Sequence, residues 1–254
     1  MQISTICRNR IYRVLAVVFW VLVWQLVSMA VNSPILVASP ARTFLALAEL
    51  GQTAAFYQAI LGSLGRICLG FTLALALGLM LGALSFVWKW VNVLLQPIVS
   101  VIKATPVASF VILALIWITS TNLSVFISFL MVFPIVYQNT LAGLGSADKK
   151  LLEMADVFRF SHRARIRAIY LPAAYPHLLT AAKLSLGMCW KAGIAAEIIG
   201  QPRNSIGAQL NQAKLFFNTP ELFAWTIAII VVSVAFERLV MVGIHALMRR
   251  TGHA

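Results

Sequence analysis

Six long apolar runs alternate with shorter polar stretches along the chain, at about residues 12–31, 64–86, 97–118, 121–142, 177–200 and 222–245. Each is close to the ~20 residues that a helix needs to cross a hydrocarbon core of about 30 Å. The pattern predicts an all-α membrane protein with six transmembrane helices. It places an N-terminal helix and an outer interfacial segment in 1–62 and the other five runs in 63–250. The segment 32–62 opens with the turn-rich "NSPILVASP" and then mixes apolar and polar positions, which predicts a short interfacial helix. The stretch "QPRNSIGAQLNQAKLFFNTP" between the fifth and sixth runs is too polar to span.

Composition agrees. Of the 254 residues 61% are hydrophobic and only 11% are charged, so there is too little charge to cover a soluble domain of this size. The net charge of +13 comes from basic residues that flank the apolar runs, as expected for anchors in the lipid headgroup region. It does not point to nucleic acid. Arg8, Arg10 and Arg13 lie before or at the very start of the first run, Arg249 and Arg250 follow the last, Lys89 falls between the second and third with Lys103 near the start of the third grouped with it, and Lys149 and Lys150 open the long polar stretch after the fourth. This asymmetry predicts that both termini and the long stretch face the cytoplasm. The first run is nearer a full span than a 7–15-residue signal core, so it is read as a retained helix.

Within the second run Gly62, Arg66, Gly70, Ala74, Gly78 and Gly82 recur every fourth residue. On a helix they share one face, and their small size predicts close packing against a neighbour. Pro97, Pro106 and Pro134 interrupt other runs. Such breaks are tolerated where neighbours or an aqueous path satisfy the freed carbonyls. Cys7, Cys68 and Cys189 have no CxxC spacing, and the four histidines have no ligand spacing, so neither a disulfide framework nor a metal site is indicated.

No GxxxxGK[ST], HExxH or GxSxG motif is present, and no glycine is followed by lysine. The chain therefore has no phosphate loop of its own and no recognisable catalytic motif. Two ionisable residues, Lys191 and Glu197, stand out in the outer half of the fifth run, in "GMCWKAGIAAEIIG". Six residues apart, they sit about 120° apart around a helix and do not pair within it. Lys191, with Trp190 and Met188 beside it, either faces a translocation path and attracts an anion, or forms a structural bridge or snorkels. Glu197 is read first as structural, with the path as the other reading.

The segment 151–172, "LLEMADVFRFSHRARIRAIYLP", concentrates charge in a chain otherwise poor in it. It either marks the cytoplasmic side or docks another protein. Leu151, Ala155 and Phe158 fall at i, i+4 and i+7, a stripe that predicts an amphipathic helix able to lie in a partner's groove. Glu153-Met154-Ala155 followed at a fixed distance by Ile169-Tyr170-Leu171-Pro172 resembles the loop signature of the permeases of binding-protein-dependent ABC importers. That signature runs Glu-Ala-Ala, three residues, Gly, nine residues, Ile-x-Leu-Pro. "SLGRICLGF", "TPVASF" and "WKAGIAAEIIG" are similar to the nitrate, sulfonate and taurine branch of that family.

The resemblance implies a type I importer permease in the bacterial inner membrane. It would be a homodimer with the path at the subunit interface, fed by an extracytoplasmic solute-binding protein and driven by ABC ATPase subunits. ATP and Mg would be bound by those subunits, and this chain would bind no cofactor. By the same resemblance 146–172 is the coupling loop, with Glu153, Ala155, Asp156, Phe158, Arg159, Phe160, Ser161, Ile169, Leu171 and Pro172 as its contact or shape-setting residues. The branch implies a small anion, a sulfonate, nitrate or similar; related branches carry vitamin precursors. Arg159 stands where the family has glycine, so the turn is either less sharp than in the family or is held by docking contacts. An ion-coupled carrier and a non-transport membrane scaffold are the competing readings; both leave the Glu153–Pro172 spacing unexplained.

Overall fold

A computed structural model describes the backbone of residues 2–33 and 35–250, and the side chains of 12, 14–33 and 35–244. The basic residues proposed as terminal anchors, Arg8, Arg10, Arg13, Arg249 and Arg250, lie outside the described side chains, as do Cys7 and His253. Among the described residues every regular element is helical: α1 (Gln2–Val31), α2 (Pro40–Leu50), α3 (Ala54–Val87), α4 (Lys89–Ala104), α5 (Val107–Ala114), α6 (Ser120–Gly145), α7 (Lys149–Val157), α8 (His162–Arg165), α9 (Leu171–Gly200), α10 (Ile206–Leu215) and α11 (Thr219–Arg250). A π-helical turn at Ile166–Tyr170 joins α8 to α9.

Within α1, α3, α6 and α11 there are stretches long and apolar enough to cross a membrane. The run at 97–118 is broken at Pro106, where the sequence placed one of its interruptions, and the break is a sharp bend. Helix α4 begins at Lys89, and α4 and α5 meet at 104° across Thr105 and Pro106. Pro106 has no N–H for the ladder, and its ring pushes Thr105 out of the helical region to φ −86°, ψ 131°. Helix α9 has the length to span, but Lys183, Lys191 and Glu197 lower its apolar character. The six-helix expectation is compatible with this set when the bent pair and α9 are each counted as one crossing.

The chain forms two compact units. One contains the described residues up to Tyr57 with Gln209–Ile230. Here Trp24 of α1 donates from Nε1 to Ala38 O at 3.0 Å and stacks on Phe223, while Phe56 packs against Trp225. Helix α2 is the short helix expected after the first span; it starts behind Ser39 as N-cap, with Pro40 in its first turn.

The other unit contains Gln58–Ala208 and the residues from Val231 onward. Its centre is the packing of α3, α6 and α9. The small stripe of α3 meets α6 at backbone distance: a Cβ on Gly70 would lie 2.4 Å from Val125 O, and one on Gly82 2.7 Å from Thr140 Cβ. Gly193 makes the matching approach from α9, where a Cβ would lie 2.6 Å from both Ile67 Cγ1 and Ser128 Oγ. Ser128 Oγ donates to Cys189 O at 3.2 Å, so the two helices also share a hydrogen bond inside this contact. Helix α5 closes the side with Val111 and Ala114 against Leu123, Ile127, Ala192 and Ala196.

Candidate coupling loop and translocation path

Helix α7 starts where Asp148 accepts a hydrogen bond from Lys150 N at 2.9 Å, an N-cap that fixes its first turn. Its last turn closes with Phe158 N on Met154 O and Phe160 N on Ala155 O at 2.8 Å. The chain reverses at Arg159, whose φ is +52°. So the sharp turn is present although the side chain is not glycine. The left-handed conformation costs an L-residue roughly 1–2 kcal/mol, and neighbouring contacts hold it. Asp156 and Arg165 form an ion pair across the turn, and Arg165 Nε donates to Phe160 O at 3.3 Å. Ser161 then caps α8 by accepting from Ala164 N.

The exposed apolar edge differs from the stripe read in the sequence. Ala155 is completely buried, and the edge consists of Leu151, Met154, Val157 and Phe158, with Val157 79% and Phe158 70% exposed. Glu153, Asp156 and Arg159 flank it on the exposed surface. At the far end Ile169 is buried, while Leu171 and Pro172 remain exposed. The π turn has Leu171 N bonded five residues back, to Ile166 O. Pro172 follows it, and a proline ring excludes an ordinary helical carbonyl four residues before it, which favours the wider turn. Ser146 Oγ donates to Gly143 O and lies 3.3 Å from Ala173 O, and Gly143 packs against Ala174, so the two ends of the loop are tied together.

Of the residues considered for a path, Met188 and Lys191 lie exposed on one face of α9, together with Leu184. Trp190 faces the interior against Phe236, with ring centroids 6.1 Å apart. Glu197 is fully buried. Ser63 Oγ donates to it at 2.5 Å, Arg66 Nε at 3.0 Å and Gly207 N at 3.3 Å. Arg66 also donates to Asn204 O at 2.9 Å, and Ile206 N donates to Ser63 Oγ at 2.9 Å. One carboxylate thus fastens α3, α9 and the start of α10 together. Its cationic partner is Arg66 on another helix, and a buried charge demands such pairing.

The profile of the binding-protein-dependent transport system inner membrane component matches residues 74–253. The chain belongs to this family. Permease relatives agree with that placement. A Bacillus subtilis (strain 168) protein, provisionally named an aliphatic sulfonates transport permease, is 31% identical over 213 residues, which cover 83% of this chain and 76% of the relative. The taurine transport system permease of Escherichia coli (strain K12) is 28% identical over 233 residues, 89% of this chain and 83% of its own. A bicarbonate transport system permease of Synechococcus elongatus is 30% identical over 146 residues, 57% and 52% respectively. This chain is therefore a transport permease and an inner-membrane component, not an enzyme.

In this permease the sequence marks the break at Pro106 but not the sharpness of the bend between α4 and α5. Lys103 was grouped with the basic residues between spans, whereas it occupies the last turn of α4 and donates to Gln138 Oε1 of α6 at 2.9 Å. The "KATP" run carried part of the signal, since a proline there ends the helix, but hydropathy averaged over 97–118 passes smoothly across it. Arg66 was noted as one position of a small-residue stripe. Its role as the cation for Glu197 follows only from the packing.

Proposed function

We propose that this permease forms the translocation path of an ATP-driven importer for a small oxyanion such as a sulfonate, taking the solute from an extracytoplasmic binding protein. ATPase subunits dock on the loop 146–172, and ATP and Mg belong to those subunits. Two copies of the chain face each other across the path, and both termini lie in the cytoplasm, as the distribution of basic residues supports.

The observation that carries the reading is the loop itself: an exposed edge of Leu151, Met154, Val157 and Phe158 on a nine-residue helix, flanked by charge and tied at its base to α6 and α9. An apolar edge of this size with charged flanks suits the groove of a soluble partner. Two further observations support it. Lys191 is exposed nine residues from the end of α9, and a cation at such depth does not face lipid; it faces a polar path or another subunit. The solutes for which the relatives are named, aliphatic sulfonates, taurine and bicarbonate, each carry an acidic oxygen group.

Native purification in mild detergent, followed by mass spectrometry and an ATPase assay, tests the reading. We expect a P-loop ATPase to co-purify, and Val157→Asp with Phe158→Asp to abolish its binding while leaving the permease's melting temperature within about 1 °C, since both side chains are exposed. A permease that purified alone and moved solute on an ion gradient would overturn it.

A further inference from the structure

The α4–α5 elbow, the adjacent stretch of α6 and one face of α9 enclose a cavity of about 490 Å³. This volume falls in the range of small-molecule sites, about 300–1,000 Å³. Most of its wall is apolar, including Met131, Pro134, Leu184 and Met188. Its polar lining consists of Lys103, Thr105, Gln138 and Asn139, with no aspartate or glutamate. A pocket with apolar walls, one cation and a few amides matches the chemistry of a site for an organic anion, whose carbon part meets the wall and whose acid group meets the cation.

The hydrogen bonds decide which groups remain available. Gln138 Oε1 accepts from Lys103 Nζ, which turns the amide nitrogen of Gln138 away from the lysine as a donor. Lys103 Nζ keeps two further N–H bonds. The other polar groups of the lining spend their donors elsewhere: Asn139 donates its amide nitrogen to Ile135 O and Thr105 Oγ1 donates to Val101 O, which leaves Lys103 and the Gln138 amide nitrogen as the donors free for a ligand. Helix α5 begins at this same elbow, so its first peptide N–H groups add positive potential on the cavity side. Met188 and Leu184 lie on the same exposed face of α9 as Lys191, which follows Met188 by three residues.

We propose that this elbow carries an anion subsite, in which Lys103 Nζ and the Gln138 amide hold the acid oxygens of the transported solute, a sulfonate or carbonate-type oxyanion. The inference rests on the importer reading above and adds a place for the solute to it. Breaking the helix at Thr105–Pro106 then has a purpose: it puts the end of α4 and the start of α5 at one point of the path. Gln138 stands seven residues before the end of α6, about 10 Å along the helix, so the subsite lies toward the end of the path nearest the coupling loop.

The acid oxygens of a lipid phosphate share this chemistry, and the test separates the two sources. The permease, with its ATPase and binding protein where they co-purify and by itself where they do not, is reconstituted in zwitterionic lipid. Acylation of Lys103 by a small amine reagent is quantified by mass spectrometry in the presence of ethanesulfonate, bicarbonate or the neutral ethyl methyl sulfone, with Lys89 as the internal reference. We expect ethanesulfonate or bicarbonate to slow labelling of Lys103 at least about threefold near saturation while the sulfone leaves it unchanged. Lys103→Gln should lower uptake of the protective anion roughly tenfold at low concentration, and Lys103→Arg should retain most of it. Labelling that neither anion changes would overturn the subsite, and so would protection that appears only when phosphatidylglycerol is added. A missing ATPase would count against the importer reading alone, because the labelling is read on the permease itself.

Discussion

Replacing Arg66 by alanine would leave the Glu197 carboxylate buried with two of its three donors. The pair joins α3 to α9 at 3.0 Å, with Glu197 fully buried and the Arg66 side chain 14% exposed. Removing one partner of a buried pair typically costs about 3–5 kcal/mol, because an uncompensated charge stays behind. Here Ser63 and Gly207 still donate to the carboxylate, while Asn204 O loses its own donor. These corrections oppose each other, and the expected loss is near the lower limit, about 3 kcal/mol. For a chain of this size that corresponds to a fall in melting temperature of roughly 6–12 °C. Intrinsic tryptophan fluorescence in detergent is a suitable readout, since Trp190 and Trp225 are buried. The double variant Arg66→Ala/Glu197→Ala should be less damaging than the sum of the single changes, by about 1.5 kcal/mol or more. An Arg66→Ala protein that melted within about 1 °C of the parent would refute the reasoning. If that protein also lost uptake, the pair would belong to the path and not to the scaffold.

Three further outcomes follow from the packing. Gly70→Ala should destabilise by about 2 kcal/mol or more, because its Cβ would meet a backbone oxygen at 2.4 Å, whereas Gly65→Ala, with nothing within 4 Å, should stabilise by up to about 1 kcal/mol; melting curves of the two variants compare them directly. Arg159→Gly removes left-handed strain of roughly 1–2 kcal/mol but adds unfolded-state entropy, so its melting temperature should equal or slightly exceed the parent's, while Arg159→Val should fall below it. Gly143→Val would press on Ala174 Cα and His177 Cβ from 3.0 Å and part the ends of α6 and α9; we expect the ATPase still to bind but uptake per ATP hydrolysed to drop in the reconstituted complex.

The readability of each element in the sequence tracks the range of the physics behind it. The α3 stripe was legible because close helix approach requires small residues at a helical period, and Gly70, Gly78 and Gly82 could be placed on one face without knowing the neighbour. The loop was legible because its spacing is local. The orientation of α7 was not: on nine residues, Leu151–Ala155–Phe158 and Leu151–Met154–Phe158 both form a plausible edge, and only the surface beneath decides that Ala155 turns inward. The Arg66–Glu197 pair joins residues 131 apart in the chain, and nothing in the periodicity of α3 or α9 ties one to the other. At the elbow, proline gave away the break but the angle escaped, for a different reason. Hydropathy measures how much apolar surface a stretch offers but carries no information on backbone direction, so a 104° bend leaves the average nearly unchanged.

Arg159 shows why a departure from a family pattern need not alter the geometry. Glycine makes the reversal after α7 cheap, but the turn is specified from both sides by other groups. Phe160 N closes on Ala155 O before it, and Ser161 caps α8 after it, while Asp156 and Arg165 bridge the two flanks. Those contacts work against the roughly 1–2 kcal/mol of left-handed strain, and the loop has the reversed shape with a cation at its apex. The base of the same loop is fixed where Ser146 meets Ala173 and Gly143 meets Ala174. Force applied at Val157 and Phe158 would therefore reach α6 and α9 together, and these two helices also form the wall that carries Gln138 and Met188. On the importer reading, the chain needs no nucleotide site of its own: a loop tied at its base to α6 and α9 would carry a partner's movement into the helices that line the cavity.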